Sequence, residues 1–144
     1  MSALDRGVAQ SFCGPAATGP SMTLRHVAVP IADIEREIEF YADLVGYEIV
    51  REFTADDGTR NVFVGHPDPA ADDDAALQLV AADGPVDTGD FVHTALTVDD
   101  VDATVAALDD DLVTGEPRTL EEDGLRVAFV EDPEGWGLEL VEHV

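Results

Sequence analysis

The sequence predicts an α+β fold built from two βαβββ modules, and three observations support this prediction. Residues 26–35 (HVAVPIADIE) match residues 93–102 (HTALTVDDVD) after a shift of 67 positions. Residues 77–80 (LQLV) match residues 138–141 (LELV) after a shift of 61 positions. Each copy begins with alternating polarity, which is typical of a strand, and continues with apolar residues at helical spacing. Because repeated units fold alike, we expect two modules that are related by an internal pseudo-twofold axis and form a curved sheet cup.

The first module is expected to begin with a strand over residues 25–31, where apolar side chains at every second position share one face. A helix follows, with Asp33 as its N-cap and Gly46 at its end, because the apolar residues between them form a helical stripe. Three short strands then complete the module, near residues 47–53, 61–65 and 75–81.

The second module repeats this order after a linker of residues 83–90. A strand is predicted over residues 91–98 and a helix over residues 101–108. The segment Asp132-Pro133-Glu134-Gly135 is expected to form a turn between the last two strands. Helices are therefore expected on one face of each sheet, and the remaining strands are predicted near residues 112–117, 125–130 and 137–142.

The amino-terminal segment, residues 1–22, shows neither strand nor helix periodicity and is rich in Gly, Pro, Ala and Ser. It is expected to be a disordered leader. Residues 23–144 are expected to form a single domain, with modules at about 23–82 and 90–144. The linker between the modules is compatible with a site formed within one chain or across a dimer.

The charge composition is strongly acidic, with 32 Asp and Glu residues against seven basic ones, all arginine, and a formal net charge of −25. Small soluble domains commonly carry a net charge of about 2–8 in magnitude. Molar salt shortens the Debye length to about 3 Å and screens such repulsion, and the composition resembles that of proteins from extreme halophiles. It predicts a protein of a high-salt cytoplasm. The acidic residues are spread over the whole chain, which argues against one acidic patch for a basic partner.

Composition also excludes several classes of function. Nucleic acid is not an expected partner, because binding its phosphates requires a basic face. No membrane partner is expected, since no apolar run approaches the roughly 20 residues that span a bilayer. Cys13 is the single cysteine, which rules out an internal disulfide and a thiolate-rich zinc site.

Four polar residues occupy equivalent strand positions in the two copies: His26, Gln78, His93 and Glu139. Their apolar neighbours are expected to face the helices, so these four side chains are expected on the helix-free faces, inside the cup. One such residue alone is ordinarily structural, but four at repeated positions indicate a metal site. Imidazole and oxygen donors suit zinc, nickel, cobalt, manganese or iron(II) and leave positions open for a substrate.

Three segments resemble the vicinal-oxygen-chelate superfamily, and most of all its short glyoxalase I (lactoylglutathione lyase) enzymes. The resemblance covers about residues 23–143 and implies the glyoxalase/bleomycin-resistance fold and a homodimer. The segments are residues 25–50 (RHVAVPIADIEREIEFYADLVGYEIV), 91–100 (FVHTALTVDD) and 126–142 (RVAFVEDPEGWGLELVE).

This resemblance implies a metal-dependent carbon–sulfur lyase that isomerises the hemithioacetal of methylglyoxal and a small thiol to a thioester. It places the metal ligands at His26, Gln78, His93 and Glu139, with one divalent ion per site and no other cofactor. Nickel or zinc is favoured, and cobalt, manganese or iron(II) also fits. Glu139 is implied to be both ligand and base, moving a proton from C1 to C2 through a metal-bound enediolate.

Two departures from the glyoxalase I pattern concern the substrate and the acid–base groups. Gln78 stands where these enzymes commonly have a glutamate, which removes one possible proton carrier. Pro30 stands where the family has an arginine that grips a carboxylate of glutathione. A small thiol other than glutathione is therefore equally compatible with the sequence.

Three alternative functions share parts of this pattern. Methylmalonyl-CoA epimerases have the same quartet but also a glutamate base on the preceding strand, where this chain has Asn-Val-Phe-Val at residues 61–64. Extradiol dioxygenases share two histidines and a glutamate but usually have chains about twice this long. Metal-free antibiotic-binding proteins use the same cup, and they tend to lack the ligand residues that are all present here.

Overall fold

The computed structural model describes residues 24–68 and 75–144, so the predicted leader lies outside the described residues. The first module contains one helix and four strands: β1 (His26–Ile31), α1 (Ile34–Val45), β2 (Glu48–Thr54), β3 (Arg60–Gly65) and β4 (Ala76–Ala81). The second module has the same order: β5 (Thr94–Thr97), α2 (Val101–Ala106), β6 (Val113–Leu120), β7 (Leu125–Glu131) and β8 (Gly137–His143).

The two sheets have equivalent topologies, which confirms the predicted pair of βαβββ modules. The strand order is β1-β4-β3-β2 in the first sheet and β5-β8-β7-β6 in the second. In each sheet the first strand pairs in parallel with the last strand of its module, and the other pairs are antiparallel. Strands β1 and β5 therefore each stand at an edge of their sheet.

Helix α1 begins and ends at the predicted residues. The Asp33 side chain accepts a hydrogen bond from the backbone N–H of Arg36, which satisfies one of the free donors of the first turn. Gly46 ends the helix with a left-handed φ of 71°, and its N–H donates to the carbonyl of Ala42. No helix in the described part of the chain is long and apolar enough to cross a membrane.

Two elements of the second module are shorter than predicted. Strand β5 starts at Thr94 instead of residue 91, because Thr94 is the first residue that pairs with β8. Helix α2 ends at Ala106 instead of residue 108, and a short 3-10 helix follows over Asp110–Leu112. Three consecutive aspartates, at positions 109–111, oppose a longer helix because negative charge is unfavourable at a helix C-terminus.

The core lies between the helices and one face of each sheet. Side chains such as Ile31, Leu79 and Leu140 on these faces are fully buried. On the opposite face of β1, His26 and Pro30 are exposed. The alternation of the strands thus leaves the helix-free faces open, as the sequence predicted.

The turn between β7 and β8 joins the two modules. Oδ1 of Asp132 accepts the backbone N–H groups of residues 134–136, at 2.9–3.0 Å, and its Oδ2 accepts the hydroxyl of Tyr41 from helix α1 at 2.8 Å. The indole N–H of Trp136 donates to the carbonyl of Pro30 on β1. A buried carboxylate with all of these donors holds the turn rigidly against the first module.

Candidate metal centre

The first pair of predicted ligands, His26 and Gln78, lies on the helix-free face of the first sheet; we call this pair the first half-site. Gln78 on β4 stands opposite Phe63 on β3 and opposite Ala28 on β1. The imidazole of His26 packs edge-on against Phe63, with 5.3 Å between ring centroids. Phe63 is therefore a neighbour of both predicted ligands.

Asn61 on β3 sets the orientation of the Gln78 amide. Asn61 is only 6% exposed, and its Nδ2 donates to the carbonyl of Thr59 at 3.1 Å. Its Oδ1 accepts a hydrogen bond from Nε2 of Gln78 at 2.9 Å. Because the side-chain N–H of Asn61 donates to that carbonyl, its Oδ1 is the atom that faces the amide N–H of Gln78. Oε1 of Gln78 is then available as a metal ligand.

Sequence reasoning noted Asn61 only for its lack of acidity and missed this positioning contact. Strand alternation places Asn61 on the same face as Phe63, and that was the one available signal. The sequence did not reveal the register between β3 and β4 that brings Asn61 and Gln78 together.

The second pair, His93 and Glu139, forms the second half-site, on the helix-free face of the second sheet. Nε2 of His93 lies 3.3 Å from Oε1 of Glu139. Glu139 on β8 stands opposite Phe129 on β7, and the ring of His93 lies 5.7 Å from that of Phe129. Each half-site thus contains a histidine, a side chain with a potential ligand oxygen, and a neighbouring phenylalanine.

Gly137 allows the chain before β5 to pass close to β8. A Cβ atom at this position would lie 2.5 Å from the carbonyl oxygen of Val92, the residue before His93. That distance is shorter than any ordinary van der Waals contact, and the obstructing atom belongs to the backbone. A side chain at this position would therefore displace the backbone directly before His93.

Replacing Gly137 with alanine is expected to destabilise the protein by about 1–3 kcal/mol, because the backbone at Val92 must shift. The same shift moves His93 away from Glu139 and weakens metal binding. Gly84→Ala is the matched control, since a Cβ at Gly84 meets no atom within 4 Å. Chemical denaturation and metal titration of both variants measure the two effects, and equal stability of the two variants would contradict this account.

The two half-sites do not form one cluster within the chain. Among residues 24–68 and 75–144, one group of three or more His, Cys, Asp or Glu residues has all its ligand atoms within 4.8 Å of one another, and it consists of Asp100, Asp102 and Glu142. His26, His93 and Glu139 do not form such a group. Each half-site lies beside an edge strand, β1 or β5, that has a neighbour on one side only.

The acidic group has a structural explanation. Asp100 caps helix α2 by accepting the N–H of Ala103, and Glu142 accepts the N–H of Val101. Asp102 forms two hydrogen bonds to the guanidinium of Arg126. Backbone donors and an arginine therefore already compensate these carboxylates.

A cavity of about 1060 Å³ lies between the modules, and of the four predicted ligands it reaches only His93. Its walls include apolar side chains from both modules, such as Leu44, Leu77 and Leu96. This cavity therefore borders the second half-site at His93 and does not reach the other three predicted ligands.

Comparisons with known proteins agree with this architecture. The sequence profile of the Glyoxalase/Bleomycin resistance protein/Dioxygenase superfamily matches residues 23–140. The chain is 30% identical over 127 residues to a probable lactoylglutathione lyase of Synechocystis sp., covering 84% of this chain and 95% of that protein. It is 30% identical over 129 residues to the lactoylglutathione lyase of Haemophilus influenzae, covering 85% and 93%.

Solved structures show the same fold. The trypanothione-dependent glyoxalase I of Leishmania major is similar, with a TM-score of 0.66 and 26% identity over 85% of this chain and 88% of that one. TnmS3, an antibiotic-binding protein from Streptomyces sp. CB03234, is similar with a TM-score of 0.65 and 26% identity over 86% and 98%. The resemblance seen in the sequence is confirmed: the chain belongs to the Glyoxalase/Bleomycin resistance protein/Dioxygenase superfamily, the vicinal-oxygen-chelate superfamily.

Proposed function

We propose that this protein is a glyoxalase I-like lyase that converts the hemithioacetal of methylglyoxal and a small thiol into a thioester. The observation that carries the proposal is the pair of half-sites, each with one histidine and one oxygen donor at the repeated positions. The relatives named lactoylglutathione lyase support the same reaction class.

The donor set fits a divalent transition metal. In the second half-site a histidine nitrogen and a carboxylate oxygen converge at 3.3 Å. In the first, the hydrogen bond from Asn61 leaves Oε1 of Gln78 free beside His26. His26, Gln78, His93 and Glu139 would together supply two nitrogen and two oxygen ligands and leave room for a substrate. A bound ion of this kind stabilises negative charge that develops on a substrate oxygen.

Glu139 is the group that moves the proton. Its carboxylate is partly exposed on the open face, next to the ring of Phe129. It takes the proton from C1 of the hemithioacetal and returns a proton to C2, which yields the thioester.

The first half-site favours a lyase with one base over an epimerase with a second acidic residue on β3. The side chains of β3 that border Gln78 on the cup face are Asn61 and Phe63. Neither an amide nor a phenyl ring acts as an acid or base near neutral pH. Gln78 itself is an amide, so it binds and orients without taking part in proton transfer.

We further propose that the complete site forms between two chains of a homodimer. His26 does not cluster with His93 and Glu139 in one chain, and both half-sites lie beside open sheet edges. A twofold axis would place the first half-site of each chain against the second half-site of its partner. Two such sites would then form per dimer, and the edge strands β1 and β5 would be covered.

Metal analysis with an activity assay tests this proposal. After nickel-free purification in molar potassium chloride, we expect about one transition-metal ion per chain in the wild type. We expect Glu139→Ala to lose the metal, and His66→Ala, which removes an exposed histidine outside both half-sites, to retain it. Wild type with nickel, cobalt, zinc or manganese should form thioesters from methylglyoxal and small thiols.

The outcomes separate the alternatives. Metal without thioester formation from any thiol would reject the lyase assignment, and acyl-CoA epimerisation and dioxygenase activity would be measured next. The absence of metal, with no uptake on titration, would favour an antibiotic-binding function like that in the name of TnmS3.

A further inference from the structure

The strand register builds two equivalent rows of side chains across the helix-free faces. Residues directly opposite each other on neighbouring strands share a face of the sheet. Each row contains an oxygen donor of the metal site, a phenylalanine and an alanine, and the fourth position differs. The rows are Arg51-Phe63-Gln78-Ala28 in the first module and Gly115-Phe129-Glu139-Ala95 in the second.

Arg51 is a cation without an ionic partner on this face. Its guanidinium carbon lies 5.3 Å from the ring centroids of both Phe53 and Phe63, within cation–π range. Within the described residues, Arg51 forms no ion pair or hydrogen bond, whereas Arg36, Arg60 and Arg126 each pair with a carboxylate. Arg25 and Arg118 also have no ion pair within the described part of the chain, but of these three arginines only Arg51 has its guanidinium over aromatic rings there.

The aromatic contacts hold the guanidinium in place without using its N–H groups. Phe63 also packs against His26, so the arginine and this ligand flank the same ring. Arg51 stands two strands away from Gln78, about 10 Å at the backbone. That spacing suits a substrate whose reacting end is at the metal ligands and whose other end reaches Arg51.

The equivalent position in the second row carries no charge. It is Gly115, where even a Cβ atom would lie 3.2 Å from the ring of Phe129. The two rows thus differ at this position, since the first contains a cation and the second does not.

We propose that Arg51 binds a carboxylate on the thiol part of the substrate and thereby selects anionic thiols; this rests on the proposed function. A guanidinium presents a planar fork of donors that matches a carboxylate with two parallel hydrogen bonds. Because the net charge of the chain is −25, an anionic substrate is repelled overall, and a local cation such as Arg51 favours binding of the anionic group beside it. Arg51 is a specificity-determining residue in this scheme.

Binding of an unreactive pair of probes tests the proposal without turnover. The probes are the thioether 3-[(2-oxopropyl)thio]propanoate and its neutral primary amide, and calorimetry measures their dissociation constants with the full-length protein at one salt concentration. We expect the wild type to bind the carboxylate about 10- to 100-fold more tightly than the amide. Arg51→Gln should abolish that ratio without changing the affinity for the amide, and Arg51→Lys should keep part of it.

Arg25→Gln is the matched control, because Arg25 is an exposed arginine directly before His26, and strand alternation places it on the opposite face from the two rows. It should leave the ratio unchanged. Equal binding of the two probes by the wild type, no binding of either, or a ratio that survives in Arg51→Gln would overturn the proposal. Since no catalysis is involved, a failed thioester assay with an intact binding ratio would reject the lyase reaction and retain the carboxylate site.

Discussion

Mixed dimers of two inactive variants, His26→Ala and Glu139→Ala, are expected to regain activity that neither variant has alone. In a dimer of either variant alone, both sites contain the substitution, because each site includes one copy of the altered half-site. In a mixed dimer, both substitutions fall in one site, and the other site combines an unaltered first half-site with an unaltered second one. Co-refolding equal amounts should therefore restore about a quarter of the wild-type thioester formation.

The control uses two variants of the same half-site, His93→Ala and Glu139→Ala. Their mixed dimers carry one substitution in each site, so no intact site forms and the mixture should stay inactive. If the mixture of His26→Ala and Glu139→Ala also stays inactive while mixed dimers are present by mass spectrometry, the site lies within one chain. Metal content of the mixtures gives an independent measurement, with the same expected pattern.

Glu37→Gln is expected to stabilise the protein, with an effect that grows at alkaline pH. Glu37 lies on helix α1, is fully buried, and neither of its carboxylate oxygens has a hydrogen-bond partner among the described residues. Burial, followed by the neighbouring carboxylate of Asp132, raises the pKa of Glu37 to about 10. The side chain is therefore protonated in the folded protein at neutral pH.

The sign of the pH effect follows from proton binding. Between the ordinary pKa of 4.5 and the raised pKa of about 10, the folded state holds a proton that the unfolded state has released. The free energy of unfolding therefore falls as the pH rises through this range. At pH 7 the cost is about 3–4 kcal/mol, and glutamine avoids it because it carries no charge in either state.

Chemical denaturation of the wild type and Glu37→Gln at three pH values between the two pKa values, about 6, 7.5 and 9, measures this effect. The difference in unfolding free energy should increase with pH. Glu39→Gln, on the exposed side of the same helix, should show little difference at any pH. A constant difference, or a larger one at low pH, would mean that Glu37 is ionised in the folded state.

Local sequence signals predicted the elements of the fold well. The cap of Asp33 and the left-handed Gly46 were both visible, because each rests on contacts within a few residues. The repeat predicted the topology of both sheets, since two copies of one pattern support each other. The end of helix α2 was placed too late because the effect of the following aspartates on the helix terminus was not weighed.

Long-range packing was harder to predict. The alternation of strands indicated which face carries His26 and Gln78, but it contained no information on how the two modules are placed relative to each other. That placement depends on contacts such as Tyr41 with Asp132, which are 91 residues apart. For the same reason, the sequence did not predict the contact of Asn61 with Gln78 or the burial of Glu37 beside Asp132, since distant segments form both environments.

In the proposed homodimer, the division of the ligands into two half-sites would link association of the chains to metal binding. A single half-site would offer two ligand atoms, too few to hold an ion firmly, so an ion would bind well only when two chains associate. By thermodynamic reciprocity, the ion must strengthen the dimer by the same factor by which the dimer strengthens the binding of the ion. Dilution and a chelator would then each release the metal and separate the chains, because mass action couples the two equilibria. The cellular supply of metal would in this way control the assembly of the protein as well as its chemistry.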